Sequence, residues 1–403
     1  MTAPLDGILI LDWTQWQMGP VATAMLADLG ASVIHIENRL TGDGGRGLNA
    51  LKWALPKGRN AYFEVNNRGK KSIKVDLTKE KGRELIYRLV RKADVFVHNY
   101  RQGVPEKLKM NYETLRRYNP KIIYAAASGY GPNGPEAREP AFDYLGLARS
   151  GIMHMVGGLL DLPPLTIRLG IADQMGAIIT AYGVLAALVA RERFGIGQKV
   201  DVSHLGSLVA LQGLSVGLEL YLGQVFGIEN RKAAANPLWN YYLCSDGRWI
   251  MLGMLQPDRQ WPSVCKALGI EHLEKDPRFE DAIKRAENAE AIIAIVDDIF
   301  ITKSAAEWMR ILKDTGDIIC TPIQSISDLK NDPQVLANDY IIDYNHEVLG
   351  PVKAVGIPVQ LSETPGVVRC EAPEFGQHTE EVLIEIGGYS WEEIAELRNE
   401  EVI

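Results

Sequence analysis

The sequence is poor in cysteine. Cys244, Cys265, Cys320 and Cys370 lie far apart and form no CxxC pair, which speaks against a thiolate metal knuckle or a paired-cysteine redox motif. It has no basic excess: 43 Lys and Arg stand against 51 Asp and Glu, a formal charge of -8. Such a chain repels phosphate backbones, so nucleic acid is not the expected partner, although a local basic patch could hold a small phosphorylated ligand. It lacks a long apolar run. The longest stretch, Gly176 to Ala190, is about 15 residues, short of the roughly 18 to 20 that span a bilayer, and is read as a buried helix with no membrane partner. The start, MTAPLDGILILDW, lacks the basic and long apolar regions of a signal peptide. A cytoplasmic protein with reduced thiols is expected. The histidines (His35, His98, His154, His204, His272, His346, His378) show no HxxxH or HExxH spacing, so no zinc site is expected. No GxSxG elbow occurs, and the turn after the first strand reads WTQWQMGP rather than GxGxxG, which gives little support to a dinucleotide site.

What is present is a globular composition, 46% hydrophobic and 23% charged, with length for two or three domains. Strand and helix signals alternate over the first 130 residues or so. Strands are read at Gly7–Asp12, Ser32–Glu37, Ser72–Asp76, Asp94–His98 and Ile122–Ala127. Helices are read at Val21–Leu29, Lys79–Val90 and Pro105–Tyr118. This pattern predicts an α/β fold with a parallel, Rossmann-like sheet. The irregular, glycine-rich stretch Thr41–Asn60 is too long for a plain connector and is a candidate functional loop. Asp173–Glu192 reads as a helix apolar on all sides and therefore buried, and Gln198–Val202 as a short strand. The character changes between Gly223 and Ile319. A Ser245-Asp246-Gly247 turn there joins two hairpin strands, and helices follow at Trp261–Leu268, Ala282–Ile301 and Ser304–Thr315. This is read as a smaller second domain. Strands at Val352–Val355 and Val359–Leu361 precede a helix from Thr379 and a last helix with a Ser390/Glu393 capping box.

Several residues carry candidate chemistry. Glu37, at the end of the second strand, is either a ribose-binding acid or an exposed strand-end carboxylate. Arg68, Lys70, Lys71 and Lys74 form one basic cluster, and Arg101, Lys107 and Lys109 a second. The second follows the strand ending at His98, where ligands of open parallel sheets bind; a solvated charged face is the plainer reading. Asp173 opens the long apolar helix. It is either an N-cap or a nucleophile or base at the mouth of a cleft, where free helix N–H groups could stabilise an oxyanion. Ser128-Gly129-Tyr130-Gly131 and Gly157-Gly158 are loops that permit close backbone approach.

Ten segments occur together in order: LILDWTQWQMGP, LADLGASVIHIE, NRGKKSIKVDL, ADVFVHNYRQGVPEKL, IIYAAASGYG, AFDYLGLARSG, the Asp173 helix with GVLAAL, GIGQKVDVS, the SDGRW hairpin and GQHTEEVL. In this the chain resembles the class III, formyl-CoA transferase-like CoA-transferases, the CaiB/BaiF family. The resemblance implies a large Rossmann-like CoA-binding domain from both chain ends (1–205 and 335–403), a small domain from the middle (223–319) and linkers at 206–222 and 320–334. It implies two subunits threaded as interlocked rings, a homodimer or a heteromer with a related subunit. It also implies acyl-CoA and a carboxylic acid as partners, with coenzyme A present as a thioester substrate and no permanently bound cofactor or metal. The family aspartate falls on Asp173, whose carboxylate is implied to attack the thioester and form an acyl-aspartyl anhydride and then an aspartyl-CoA thioester. The CoA contacts implied are Gln17 and Met18 after the first strand, Asn38 where some members place an arginine, Val75 and Thr78 at the adenine wall, and Asn99, Tyr100 and Arg101 after the fourth strand. Lys107 stands where a phosphate-binding arginine often sits and keeps the charge without the fork. Ala141 and Phe142 line the pantetheine thiol.

Two departures stand out. Ala172 replaces the usual glycine before the aspartate, and its methyl is expected to narrow the pocket. The long glycine-rich loop of formyl-CoA transferase has no evident counterpart, which speaks against formate or oxalate. The acid is expected to be larger, aromatic or branched (a benzylsuccinate-type or aryl-lactate-type acid), with succinyl-CoA as donor and Trp13, Trp16 and Trp53 as candidate acyl-pocket walls. The alternatives are an α-methylacyl-CoA racemase or epimerase and a non-catalytic CoA-binding subunit of a heteromeric transferase. Racemisation needs a His where this chain has Phe142 in Ala141-Phe142-Asp143, so one proton carrier is missing.

Overall fold

Six strands form one parallel sheet: β1 (Leu9–Trp13), β2 (Ser32–Asn38), β3 (Lys71–Val75), β4 (Val95–His98), β5 (Ile123–Ser128) and β6 (Lys199–Ser203). Their order is β3-β2-β1-β4-β5-β6. These elements belong to a computed structural model that describes residues 2–51, 55–157, 163–224, 230–369 and 371–403, without the side chains of 48–51. The chain divides into two units, Met1–Phe226 with Pro333–Ile403, and Gly227–Asp332.

The sheet is apolar on both faces, as strands covered by helices on each side must be. Because side chains alternate along a strand, Leu11, Ile34, Phe96 and Tyr124 meet helix Glu80–Val90 and the C-terminal helices in one core. Ile10, Val33, Val95 and Ile123 meet Ala181, Val184 and Leu188 of helix Ile171–Phe194 in the other. Each such side chain, fully buried, contributes about 1.5–3 kcal/mol before chain entropy is charged against it. The strand order reverses between β1 and β4. In open α/β sheets that reversal opens a crevice beyond the strand ends, where ligands bind.

In the second unit, β7 (Tyr241–Leu243), β8 (Trp249–Leu252) and β9 (Cys320–Pro322) make an antiparallel sheet. Trp261, Phe300 and Trp308 fill its core. Back in the first unit, β10 (Ile341–His346) pairs with β11 (Gly350–Val355), and Ser390 and Glu393 form the capping box of helix Trp391–Asn399.

Several local expectations change. The single helix at 105–118 is two short ones, Val104–Lys107 and Tyr112–Leu115. Lys109 takes a left-handed φ of 57°, and the turn there buries Met110. The helix at 282–301 breaks at Asn288, whose side-chain amide donates to the carbonyls of Arg278 and Lys284. No strand forms at 359–361; pairing with β10 ends at Val355. Residues 206–222, read as a linker, form most of helices His204–Leu211 and Gly213–Leu222. Helix Ile171–Phe194 has the length and composition to cross a bilayer, but it is not buried all round. One stripe, including Ala177, Thr180, Ala181 and Val184, is covered, while Ile178, Tyr182 and Val189 on the other side are exposed. The covered stripe packs on helix Met18–Asp28 so closely that a Cβ on Gly176 would stand 2.6 Å from the Met18 methyl.

Candidate active site

The loops after β1 and β4 are tied to each other. Asn99 Oδ1 accepts from the Gln15 N–H at 2.9 Å, and Asn99 Nδ2 donates to the Gln15 carbonyl at 2.7 Å. Below them Trp13 stacks on Tyr100 with ring centroids 4.2 Å apart. A cleft of about 1140 Å³ opens above this junction, on the scale of the largest small-molecule sites. Gln17, Met18, Asn99, Tyr100, Arg101, Ala141, Phe142 and Asp173 all line it. The structure thus brings together eight of the residues singled out in the sequence, from segments up to 156 positions apart.

Four others lie outside its lining. Asn38 folds back on its own turn, Oδ1 accepting from the N–H groups of Leu40 and Thr41. Val75 is in the core. Thr78 bonds to Asp76 through both its N–H and its hydroxyl. Lys107 is exposed on its short helix. Trp16 lines the cleft and meets Phe142 edge-on at 6.1 Å; Trp13 is buried in the core, and Trp53 lies outside the described residues, as does Gly158 of the Gly157-Gly158 pair. Gly129 is needed where the floor of the cleft touches its wall, since a Cβ there would stand 2.1 Å from the Ala141 methyl.

Asp173 sits in the first turn of helix Ile171–Phe194 but is not its N-cap. Gly170, with φ of 80°, holds that position. Asp143 supplies the cap from 30 residues away, Oδ1 accepting from the N–H of Ala172 at 2.7 Å and of Asp173 at 3.0 Å. The N–H of Gln174 goes to the Gly170 carbonyl. The N–H groups of residues 172 and 173, two of those expected to be free for an oxyanion, are therefore occupied by Asp143. Asp173 Oδ1 accepts instead from His204 Nε2 at 2.9 Å, and the Asp173 side chain keeps 17% exposure against 7% for His204. Ala172 does not narrow the cleft: its methyl is buried with Leu147, Ile152 and Leu208.

Burial raises the Asp143 carboxyl above the ordinary range, and the neighbouring Asp173 charge adds to this against the pull of the two N–H donors. Tyr62, on helix Ala61–Asn67, lines the cleft. Burial and the negative charges of Asp173, Asp43 and Asp143 drive its hydroxyl far above the usual phenol range, so it stays protonated.

Beneath the Trp16 loop lies a buried charge cluster. Asp12 accepts from Lys70 Nζ (2.8 Å), Thr23 Oγ1 (2.8 Å), Thr14 Oγ1 (2.5 Å) and His35 Nδ1 (3.1 Å). The second imidazole nitrogen stands 3.4 Å from Asp43 Oδ2, and Asp43 Oδ1 accepts from the Trp16 N–H at 3.0 Å. Lys70 is therefore neither a ligand contact nor part of a solvated face. Its neighbours in the run are also spent within the fold, Arg68 on Asp28 and Lys71 on Glu381. Glu37 is neither exposed nor aimed at a ligand: it is buried, with Arg46 Nε and Nη2 each 2.7 Å from its oxygens and Ser72 Oγ at 2.6 Å. Burial alone would raise its pKa, but these partners and His35 hold it below the ordinary value. Among the described residues no group of three His, Cys, Asp or Glu side chains is placed to hold a metal ion.

A sequence model of CoA-transferase family III matches residues 5–379. The chain is 30% identical over 401 residues to an (R)-2-hydroxy-4-methylpentanoate CoA-transferase of Clostridioides difficile, covering 99% of each chain. It is 31% identical over 408 residues to a succinyl-CoA–D-citramalate CoA-transferase of Chloroflexus aurantiacus, covering 99% of this chain and 98% of that one. Its fold matches that of a CAIB/BAIF family protein from Brucella suis with a TM-score of 0.84 and 27% identity, over 96% of this chain and 100% of the other.

Proposed function

The chain belongs to CoA-transferase family III, and on that premise we propose that it moves coenzyme A from a donor thioester to a carboxylic acid by covalent catalysis at Asp173. The observation that carries this reading is a carboxylate lining a cleft large enough for an extended thioester, with one oxygen fixed by His204 and the side chain still open. The free oxygen attacks the donor carbonyl carbon. The C–S bond breaks, CoA leaves as its thiolate, and a mixed anhydride with Asp173 remains. The thiolate then attacks Asp173 Cγ and releases the donor acid as its carboxylate. The acceptor carboxylate reverses the two steps. Each step takes in one anion and releases one, so the cycle needs no net proton and no metal.

Transfer is favoured over racemisation by the same geometry. A shuttle across an α-carbon needs two proton carriers on opposite faces of that carbon, whereas His204 and Asp173 are in direct hydrogen bond and Phe142 occupies the remaining candidate position. We propose succinyl-CoA as donor and a branched or aromatic 2-substituted acid as acceptor. The activities of the two relatives support this, as do the rings of Trp16 and Phe142, which line the cleft in edge-on contact, Phe142 directly preceding Asp143. The test is a screen of the purified protein with succinyl-CoA, acetyl-CoA and a panel of acids, read by the mass of the new thioester and of the Asp173 peptide. A donor-dependent adduct on that peptide is expected. Deuterium entering the α-carbon with no acid present would mark the racemase, and CoA binding without exchange the non-catalytic subunit; either result sinks the proposal.

The assembly follows from the exposed apolar residues. Ile178, Tyr182 and Val189 on the Asp173 helix and Leu214, Leu220 and Tyr221 on helix Gly213–Leu222 are exposed, and exposed large apolar side chains grouped on helices are candidates for a subunit interface. We propose that a second subunit covers them, as in an interlocked dimer. Sedimentation equilibrium is expected to give about twice the chain mass of 44.6 kDa, and a single-chain mass at micromolar concentration would exclude it.

A further inference from the structure

His204 belongs to no metal or triad spacing in the sequence. It occupies the first position of helix His204–Leu211, just past the carboxyl end of β6, where Ser203 caps the helix. It is buried, and its Nε2 lies 2.9 Å from Asp173 Oδ1. An ionised carboxylate only accepts, so the proton is on Nε2. The other ring nitrogen, Nδ1, is buried and has no partner among the described residues. Among the described residues the ring makes no hydrogen bond other than that to Asp173. A Cβ on Gly146 would stand 2.8 Å from the His204 Cβ, so the side chain is also closely backed.

We propose that His204 is a catalytic residue of the transfer: its Nε2–H is the donor that stabilises the tetrahedral intermediates formed at Asp173 Cγ. This inference rests on the aspartyl mechanism given above. When CoA thiolate attacks the anhydride at Cγ, or the acceptor carboxylate attacks the aspartyl thioester there, a new bond forms to Cγ and the C=O electron pair moves onto Oδ1. The carbonyl re-forms as the carboxylate or thiolate leaves. Charge shared between two oxygens in the resting carboxylate is concentrated on one in the intermediate, so a fixed donor on Oδ1 binds the intermediate more tightly than the ground state. The N–H groups of Ala172 and of Asp173 itself, the nearest backbone donors at this helix end, are taken up by Asp143. The same contact decides which oxygen does what: with Oδ1 held by His204, Oδ2 is left as the nucleophile.

The experiment compares His204→Leu, His204→Gln and His204→Asn in the full chain, with succinyl-CoA and an accepted acid. Glutamine can carry an N–H near the Nε2 position, whereas asparagine is too short to reach it. His204→Leu is expected to lower kcat by about 10²–10³-fold with little change in KM for the acyl-CoA. His204→Gln should stay within roughly tenfold of wild type, and His204→Asn should resemble the leucine variant. Rapid quench with a nucleophilic trap should show the acyl-aspartyl anhydride accumulating in the leucine variant, a signature that loss of packing alone does not produce. If the leucine variant does not fold, the Gln and Asn pair still decides. Equal activity of those two, or near-wild-type kcat in His204→Leu, overturns the role of His204 while leaving the aspartyl mechanism standing. No Asp173 adduct in the wild type removes both.

Discussion

Asp173→Ala is expected to lower CoA exchange by about 10⁴-fold or more, the scale seen when a covalent nucleophile is removed, while acyl-CoA binding changes only a few-fold. The separation follows from the construction of the site. The cleft is shaped by loops after β1 and β4 that are held together by Asn99 and Gln15 and by the stack of Trp13 on Tyr100. None of those contacts involves Asp173. The helix should also persist, because Asp143 caps the backbone N–H of residue 173 whatever its side chain. Asp173→Glu is the sharper control. The added methylene shifts the carboxylate and breaks its registry with His204, and a misplacement of about 1 Å in a nucleophile can cost 10²-fold. Exchange between succinyl-CoA and an accepted acid, with CoA affinity measured in parallel by calorimetry, checks both variants. An alanine variant exchanging at more than about a hundredth of the wild-type rate would show that another group is the nucleophile.

Much of the sheet was legible in the sequence, because continuous apolar runs bounded by turns are what a strand buried on both faces requires. The Asp173 helix was legible for the same reason, although its composition concealed that only one face is covered. The cleft was partly legible: the rule that ligands of open parallel sheets bind beyond the strand ends pointed to Arg101 after the strand at His98, whereas Gln17 and Asn99 were implied only by the family resemblance. The partners of Asp173 were not legible. Asp143 and His204 are 30 and 31 residues from it in opposite directions, and only tertiary structure joins them. A signal for His204 was present, a histidine at the first position of a Ser-capped helix directly past a strand of the parallel sheet. That signal is weak, because it matches no metal or triad spacing. The basic run at 68–74 misled for a related reason. Sequence gives the charge of Lys70, but not the buried Asp12 that neutralises it.

That buried cluster carries the largest expected effect on stability. Asp12→Asn keeps the shape but removes the negative charge, leaving Lys70 and His35 without their shared anion in a site closed to water. Breaking a buried ion pair from one side costs about 3–5 kcal/mol, a large part of the roughly 5–15 kcal/mol that stabilises a whole domain. The pH dependence gives the cluster a signature of its own. Burial alone would lower the His35 pKa, but Asp12 and Asp43 push it up to about 9 from 6.5. A group with a raised pKa stabilises the fold fully below its unfolded value, so this contribution is present below about pH 6.5 and is lost as pH rises through about 9. Asp12 has the opposite sense. Burial opposes its ionisation, but Lys70 and His35 hold its carboxyl far below the ordinary value, so its contribution is present above about pH 4 and fades as the solution becomes more acid. Urea unfolding followed from pH 5 to 9.5 should therefore show wild type losing stability above neutrality. Asp12→Asn should be weaker throughout and less pH-dependent over that window, since the strongest of the groups that raise the His35 pKa is gone. Parallel curves for the two proteins would mean that His35 is not charged in the fold. The cluster also reaches the cleft, because Asp43 holds the Trp16 N–H. The variant should bind acyl-CoA less tightly, yet still form the Asp173 adduct, whose cap and donor come from Asp143 and His204 rather than from the cluster.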